Sequence, residues 1–311
     1  MADAGRGKSG FIAAVNSRAF SVCPCEARLR LPEIRALGRS AVAALHAELA
    51  LDPKPGLVSF VDSGSHDDMD AATFMRSLFA LRSYFPAVAE AGAGGADLHA
   101  LEQLGIDAER RMLRATGGVN THRGAIFLLG LLCASAGRCL ADGRALTASG
   151  IRETLIDAWG DSLAERAAQR RSATSHGAEA ARRYRLRSIS DEAAAGFPTL
   201  FDHALPALRA AREAGWDERA ARVQTLFVAI AVLDDTTLAH RGGAAGLRWA
   251  QRGAQRFLDA GGAGAPDWLA RVRQLHGQLV ALRLSPGGAA DTLAAAWWLA
   301  RVTDRGHCPP G

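Results

Sequence analysis

The segment Ser65-His66-Asp67-Asp68-Met69-Asp70 sets three carboxylates within four residues, beside an imidazole. Acids this close repel one another, and a cation offsets the repulsion. Hard oxygen ligands in a cluster suit Mg²⁺, which keeps several waters and bridges to substrate phosphates. The same acids also read as the first turn of a helix, where the dipole stabilises them. A second acidic pair, Asp234-Asp235, follows the apolar run Leu226 to Leu233. Two acids attached to a buried helix are costly unless they are paired or bind metal, and a helix ending there would oppose them with its dipole. That pair stands between two readings, chemistry and an ion pair with His240 or Arg241.

Anion binding is the other chemistry on offer. Gly117-Gly118-Val119-Asn120-Thr121-His122-Arg123-Gly124 sets four polar side chains between glycines, then enters the apolar stretch Ala125 to Gly137. Glycines let a backbone approach a ligand closely, and a helix N-terminus favours negative charge. Such a turn suits an anion, most often phosphate, although His122 and Arg123 also fit an ordinary solvated first turn. Lys54 stands in Pro53-Lys54-Pro55-Gly56, and Lys8 is the only other lysine. His176 in Ser175-His176-Gly177 reads as a cap neighbour or a ligand contact, and Arg241-Gly242-Gly243 as a loop or a phosphate grip. Phosphate-binding P-loop, His-Glu-x-x-His and dinucleotide motifs are all absent from the sequence.

The elements that must position these residues read as helices throughout. Leu37, Ala41, Ala44, Leu45, Glu48 and Leu49 follow three-and-four spacing up to Asp52-Pro53. Asp70 to Ala91 reads as a second helix, and Asp97 caps a third running to Ala115. Others are expected over 123–141, 147–171, 175–186, 199–214, 217–239, 244–260, 266–283 and 287–303. Ser285-Pro286 reads as N-cap and first position of the last of these. With no alternating strand and only short breaks, the expectation is all-α: a single globular multi-helix domain over 31–311 behind a loosely ordered leader, 1–30.

Bulk composition narrows the function classes. The 311 residues are 49% hydrophobic and 22% charged, as in soluble globular proteins. Ala125 to Gly137 is too short for a bilayer crossing of roughly 20 residues. No secretory signal is evident, and five cysteines fit a reducing compartment, so the expected location is cytoplasmic. Cys23-Pro24-Cys25 lacks a second ligand pair nearby. The net charge of +5 favours anionic partners. Aromatics at 6%, not interleaved with basic residues, argue against nucleic acid.

Taken together, the ordered segments resemble the triphosphoribosyl-dephospho-CoA synthase family from about Ala44 to Ala296. Glu48, Pro53–Val58, Ser65–Asp70, Gly118–Phe127, Ser175–Gly177, Gly196-Phe197-Pro198, Asp234-Asp235-Thr236, His240–Gly243 and Ser285–Asp291 carry the resemblance. Arg187–Glu192 departs from the family's more Gly- and Arg-rich turn. The resemblance implies an all-helical enzyme that takes ATP and 3′-dephospho-CoA, releases adenine and joins the 5-triphosphoribosyl group to the acceptor's 2′-hydroxyl. The product would pass to an enzyme that modifies an acyl carrier protein, of malonate decarboxylase or citrate lyase. The wording of Ser59–Asp70 and Leu282–Ala290 looks more like the malonate decarboxylase branch. On this resemblance Asp67, Asp68, Asp70, Asp234 and Asp235 are the expected catalytic acids, with Asp67, Asp70, Asp234 and Asp235 on Mg²⁺. Lys54, Asn120, Thr121, His122, Arg123, His176 and Arg241 would bind substrate and its phosphates. The rival readings are a Mg²⁺-dependent nucleotide hydrolase on helical acid clusters and a non-enzymatic basic helical scaffold.

Overall fold

The computed structural model describes residues 30–170 and 176–304. Apart from Arg30, the expected leader lies outside the described residues, with Cys23 and Cys25; so does the side chain of His176. The elements, in order, are α1 (Leu31–Leu49), α2 (Ala71–Leu81), α3 (Tyr84–Ala93), α4 (Leu98–Ala115), α5 (Arg123–Ala141), α6 (Ala148–Arg170) and α7 (His176–Tyr184). There follow α8 (Ile189–Ala194), a π-helical turn (Thr199–Ala204), α9 (Leu205–Glu213), α10 (Glu218–Val232), α11 (Thr236–Asp259), a 3₁₀ turn (Gly262–Gly264), α12 (Trp268–Ala281) and α13 (Gly287–Thr303). No strand occurs among the described residues. The all-α expectation holds.

Two expected helices break and one unexpected helix forms, each for a local reason. The stretch from Asp70 to Ala91 breaks at Arg82-Ser83, because Pro86 cannot donate to the carbonyl four residues back and its ring crowds it. The stretch 217–239 breaks at Leu233, which is extended (ψ 134°), and Asp235 then caps a new helix. Ser188 and Asp191 form a reciprocal capping box that starts α8, in the segment that departs from the family wording. Asp97 caps α4 as expected, accepting from the Ala100 N–H at 2.8 Å.

Two apolar clusters meet along α13. The larger packs α1 to α6 and α9 around Leu129, Leu132, Phe85 and Trp298; the smaller packs α10, α11 and α12 around Phe227, Val272 and Leu279. In α13, Ala289, Ala290 and Leu293 belong to the smaller cluster and Ala294 to Val302 to the larger. Trp298 locks this shared helix to α1, its indole N–H reaching Leu37 O and Ser40 Oγ at 3.1 and 2.9 Å. The start of α13 therefore lies where both cores end. Helix α5, at 19 residues, is long and apolar enough to cross a bilayer, contrary to the shorter run read from sequence, and 72% of that window is buried inside the fold.

Candidate functional site

At that junction a cavity of about 140 Å³ opens between α1, α2 and the first turns of α5, α11 and α13. Helix N-termini carry unsatisfied N–H groups and partial positive charge. Three of them converge here, through Asn120 to Gly124, Thr237, and Ser285 to Asp291. The turn into α5 depends on Gly117 and Gly118, whose φ values of +67° and +92° only glycine adopts without strain. Asn120 Oδ1 accepts the Arg123 N–H at 3.1 Å and sets the entry angle of the helix.

Polar groups without partners face this cavity. His122 is 3% exposed; its Nδ1 meets Ser77 Oγ at 2.7 Å, while Nε2 has no partner among the described residues. Thr121 Oγ1 is likewise buried and unbonded. An unmade hydrogen bond in a buried site costs the full desolvation of the group, so the two atoms mark a place for a ligand. From α13, Asp291 presses against the backbone of α5: a Cβ on Gly124 would lie 2.0 Å from Asp291 Oδ2. Burial, with Glu48 and Asp235 adding like charge, raises the Asp291 carboxyl well above the usual carboxylate range. Glu48 lines the same cavity and is paired with Lys54 Nζ at 2.6 Å. That lysine is 2% exposed and burial lowers its pKa, so it stands behind Glu48 and not at a solvent-facing phosphate site.

A second polar chain borders the cavity. Arg241 donates to Ser65 O at 2.9 Å and to His66 Nδ1 at 2.9 Å. Because a guanidinium only donates, Nδ1 is the acceptor and the proton sits on Nε2, which donates to Ser285 Oγ at 2.9 Å. Burial and the charge of Arg241 lower the His66 pKa, in keeping with a neutral ring. Ser285 is thereby held by His66 and does not cap α13, whose N-cap is Pro286.

The expected catalytic and metal-binding acids do not come together. Asp67 is 85% exposed and pairs with Arg283 at 3.3 Å, and Asp68 is 59% exposed near His66. Asp70 caps α2, accepting from the Thr73 N–H and hydroxyl at 2.8 and 2.7 Å. Asp234 accepts the Arg187 N–H at 3.0 Å. Asp235 is 1% exposed and is held by backbone N–H groups, while Arg241 is engaged with Ser65 and His66. Its Oδ1 takes the N–H groups of Thr237 and Leu238 at 2.8 and 3.2 Å, and its Oδ2 takes that of Ala289 at 3.1 Å. The helix dipole thus favours this acid, since it opens α11 and α13 instead of closing α10. No group of three His, Cys, Asp or Glu side chains able to hold a metal occurs among the described residues, so Asp67, Asp70, Asp234 and Asp235 do not fit a Mg²⁺ cage. Arg123 lies at the cavity rim with its guanidinium on Glu109.

The description "ATP:dephospho-CoA triphosphoribosyl transferase" belongs to the family that matches residues 34–308. The chain belongs to this family. It is similar to a probable 2-(5″-triphosphoribosyl)-3′-dephosphocoenzyme-A synthase of Stutzerimonas stutzeri (strain A1501), with 41% identity over 278 residues, 87% of this chain and 93% of that protein. No solved structure matches. Five of the nine segments that carry the resemblance contribute to the cavity wall: Glu48, Pro53–Val58, Ser65–Asp70, Gly118–Phe127 and Ser285–Asp291. Glu48, His66, Ser285 and Asp291 line it without having been expected there as site residues. Glu48 and Asp291 carried one usable sign: a charged residue inside an otherwise apolar helical face.

His122 gives this family site a measurable pH signature. Burial, with Lys54 adding like charge, drives its pKa down to about 3. The unfolded chain takes up a proton near pH 6.5 and the folded one does not, so stability is intact above about 6.5 and falls by about 1.4 kcal/mol per pH unit below it. The stability difference between His122→Gln and wild type should therefore change by about 2 kcal/mol between pH 6.5 and 5, seen by chemical denaturation. A constant difference would mean a solvated imidazole.

Proposed function

We propose that this cavity is where the triphosphoribosyl group leaves adenine and meets its acceptor. The protein is a pentosyltransferase: it makes 2′-(5″-triphosphoribosyl)-3′-dephospho-CoA from ATP and 3′-dephospho-CoA, with release of adenine. The observation that carries the location is the meeting of two carboxyl groups with converging helix N-termini around unpartnered polar atoms. Breaking the ribosyl–adenine bond develops positive charge at the anomeric carbon, which carboxylates stabilise. The triphosphate stays intact and needs N–H dipoles and cations. At this volume the cavity holds the reacting centre, and the triphosphate and the pantetheine arm run outward from it.

Roles follow from the contacts. Glu48, positioned by Lys54, receives the proton of the acceptor hydroxyl, and Thr121 and His122 bond the ribose or base. Arg123 and Arg241 flank the phosphate path. Magnesium enters this reading as part of the substrate, MgATP, with phosphate oxygens and waters as ligands. The wording of Ser59–Asp70 and Leu282–Ala290 supports the malonate decarboxylase branch, with the product handed to an enzyme that modifies an acyl carrier protein. A cytoplasmic location without membrane or nucleic acid partners belongs to the same reading, and ATP and dephospho-CoA as substrates support it.

The test is chromatography of ATP incubated with protein, Mg²⁺ and acceptor. Free adenine is expected with 3′-dephospho-CoA and little or none with CoA, whose 3′-phosphate adds about two negative charges beside Glu48 and Asp291. ADP, AMP or phosphate would point to a hydrolase instead. Equal adenine release with CoA, or release that ignores the acceptor, would defeat the transferase site proposed here.

A further inference from the structure

The two carboxyl groups of the cavity differ in company. Glu48 has a lysine at 2.6 Å. Among the described residues Asp291 has no hydrogen-bond donor or cation as partner, and its charged neighbours are the acids Glu48 and Asp235. It is also held close against the α5 backbone at Gly124, next to Arg123 and two residues from His122, and within the same wall as the unpartnered Thr121 hydroxyl. A carboxyl group in such company holds its proton, and burial reinforces this. One carboxyl beside a cation and another beside like charges is the usual arrangement of a base facing an acid.

We propose that Asp291 is the general acid of the reaction, giving its proton to a ring nitrogen of the departing adenine. The assignment rests on the cavity being the transferase site. The electrons of the C1″–N9 bond stay with adenine, which gains the Asp291 proton and leaves neutral. The 2′-hydroxyl oxygen of dephospho-CoA forms the new bond to C1″, and its proton passes to Glu48. One proton is given and one is taken in each turnover, and exchange with water resets both carboxyls. Adenine without a proton is a poor leaving group, so the acid acts in the bond-breaking step and not in binding.

The experiment compares leaving groups. Wild type and Asp291→Asn are assayed with saturating 3′-dephospho-CoA on ATP, and on 4-nitrophenyl β-riboside 5-triphosphate, whose nitrophenolate leaves without a proton. On ATP the variant should lose about 10²–10⁴-fold in kcat, with ATP affinity retained by equilibrium dialysis. On the nitrophenyl substrate the two proteins should turn over equally. The same fold-loss on both substrates would overturn the assignment. The amide should melt at or above the wild-type temperature, because it removes an acid from the company of other acids; Asp291→Ala, read with the same pair of substrates, guards against misfolding of the amide. Absence of adenine release by wild type itself would instead remove the transferase site on which the assignment rests.

Discussion

Asp235→Ala should destabilise the protein by about 3–5 kcal/mol, read as a lower midpoint of chemical denaturation. The side chain is 1% exposed and accepts backbone N–H groups from the first turns of two helices, α11 and α13. Alanine would leave these donors buried and unpaired, and each orphaned donor costs about 1–3 kcal/mol. Burial raises the Asp235 pKa, and the backbone N–H bonds offset part of that rise. Asparagine keeps the oxygen that serves Thr237 and Leu238 and presents an amide to Ala289, so its cost should fall between wild type and alanine. The neighbour makes the control. Asp234 is half-buried and receives one N–H, from Arg187, and Asp234→Asn should stay within about 0.5 kcal/mol. Equal stability of the Asp235→Ala and Asp234→Asn variants would contradict the double cap.

These two adjacent acids show how far sequence carries the site. Periodicity was sufficient for nearly every helix, because an apolar stripe at 3.6-residue spacing survives any arrangement of its neighbours. It was insufficient where one residue type supports two backbones. Asp235 followed by two threonines is an N-cap signature, yet the apolar run before it reads equally as a helix running on. Ser285 is the converse: next to a proline it looks like a cap, and a histidine 219 residues away holds it instead. Contacts of that range leave no mark in local spacing. The same holds for Glu48 and Asp291, which come together from α1 and α13, at opposite ends of the described chain. The Asn120–Arg123 turn was legible because glycines with positive φ, polar residues and a helix start lie in one continuous segment.

Glu48→Gln should slow adenine release by about 10²–10⁴-fold if its carboxylate takes the acceptor's proton. Activity alone would leave one ambiguity, because Glu48 and Lys54 are a buried ion pair with side chains 7% and 1% exposed. Removing one member of such a pair costs about 3–5 kcal/mol, since the other is left charged and unpaired. Lys54→Met should thus unfold at lower denaturant than wild type, and it should lose activity through displacement of Glu48, a positioning effect. The double variant Glu48→Gln/Lys54→Met separates the two contributions. Replacing both members of a buried pair is often neutral or stabilising, so the double variant should regain much of the stability that Lys54→Met loses. Its rate should stay as low as that of Glu48→Gln, because no base has been restored. Recovery of rate along with stability would show that Glu48 serves only to neutralise the lysine, and the proton of the 2′-hydroxyl would then need another acceptor in the cavity.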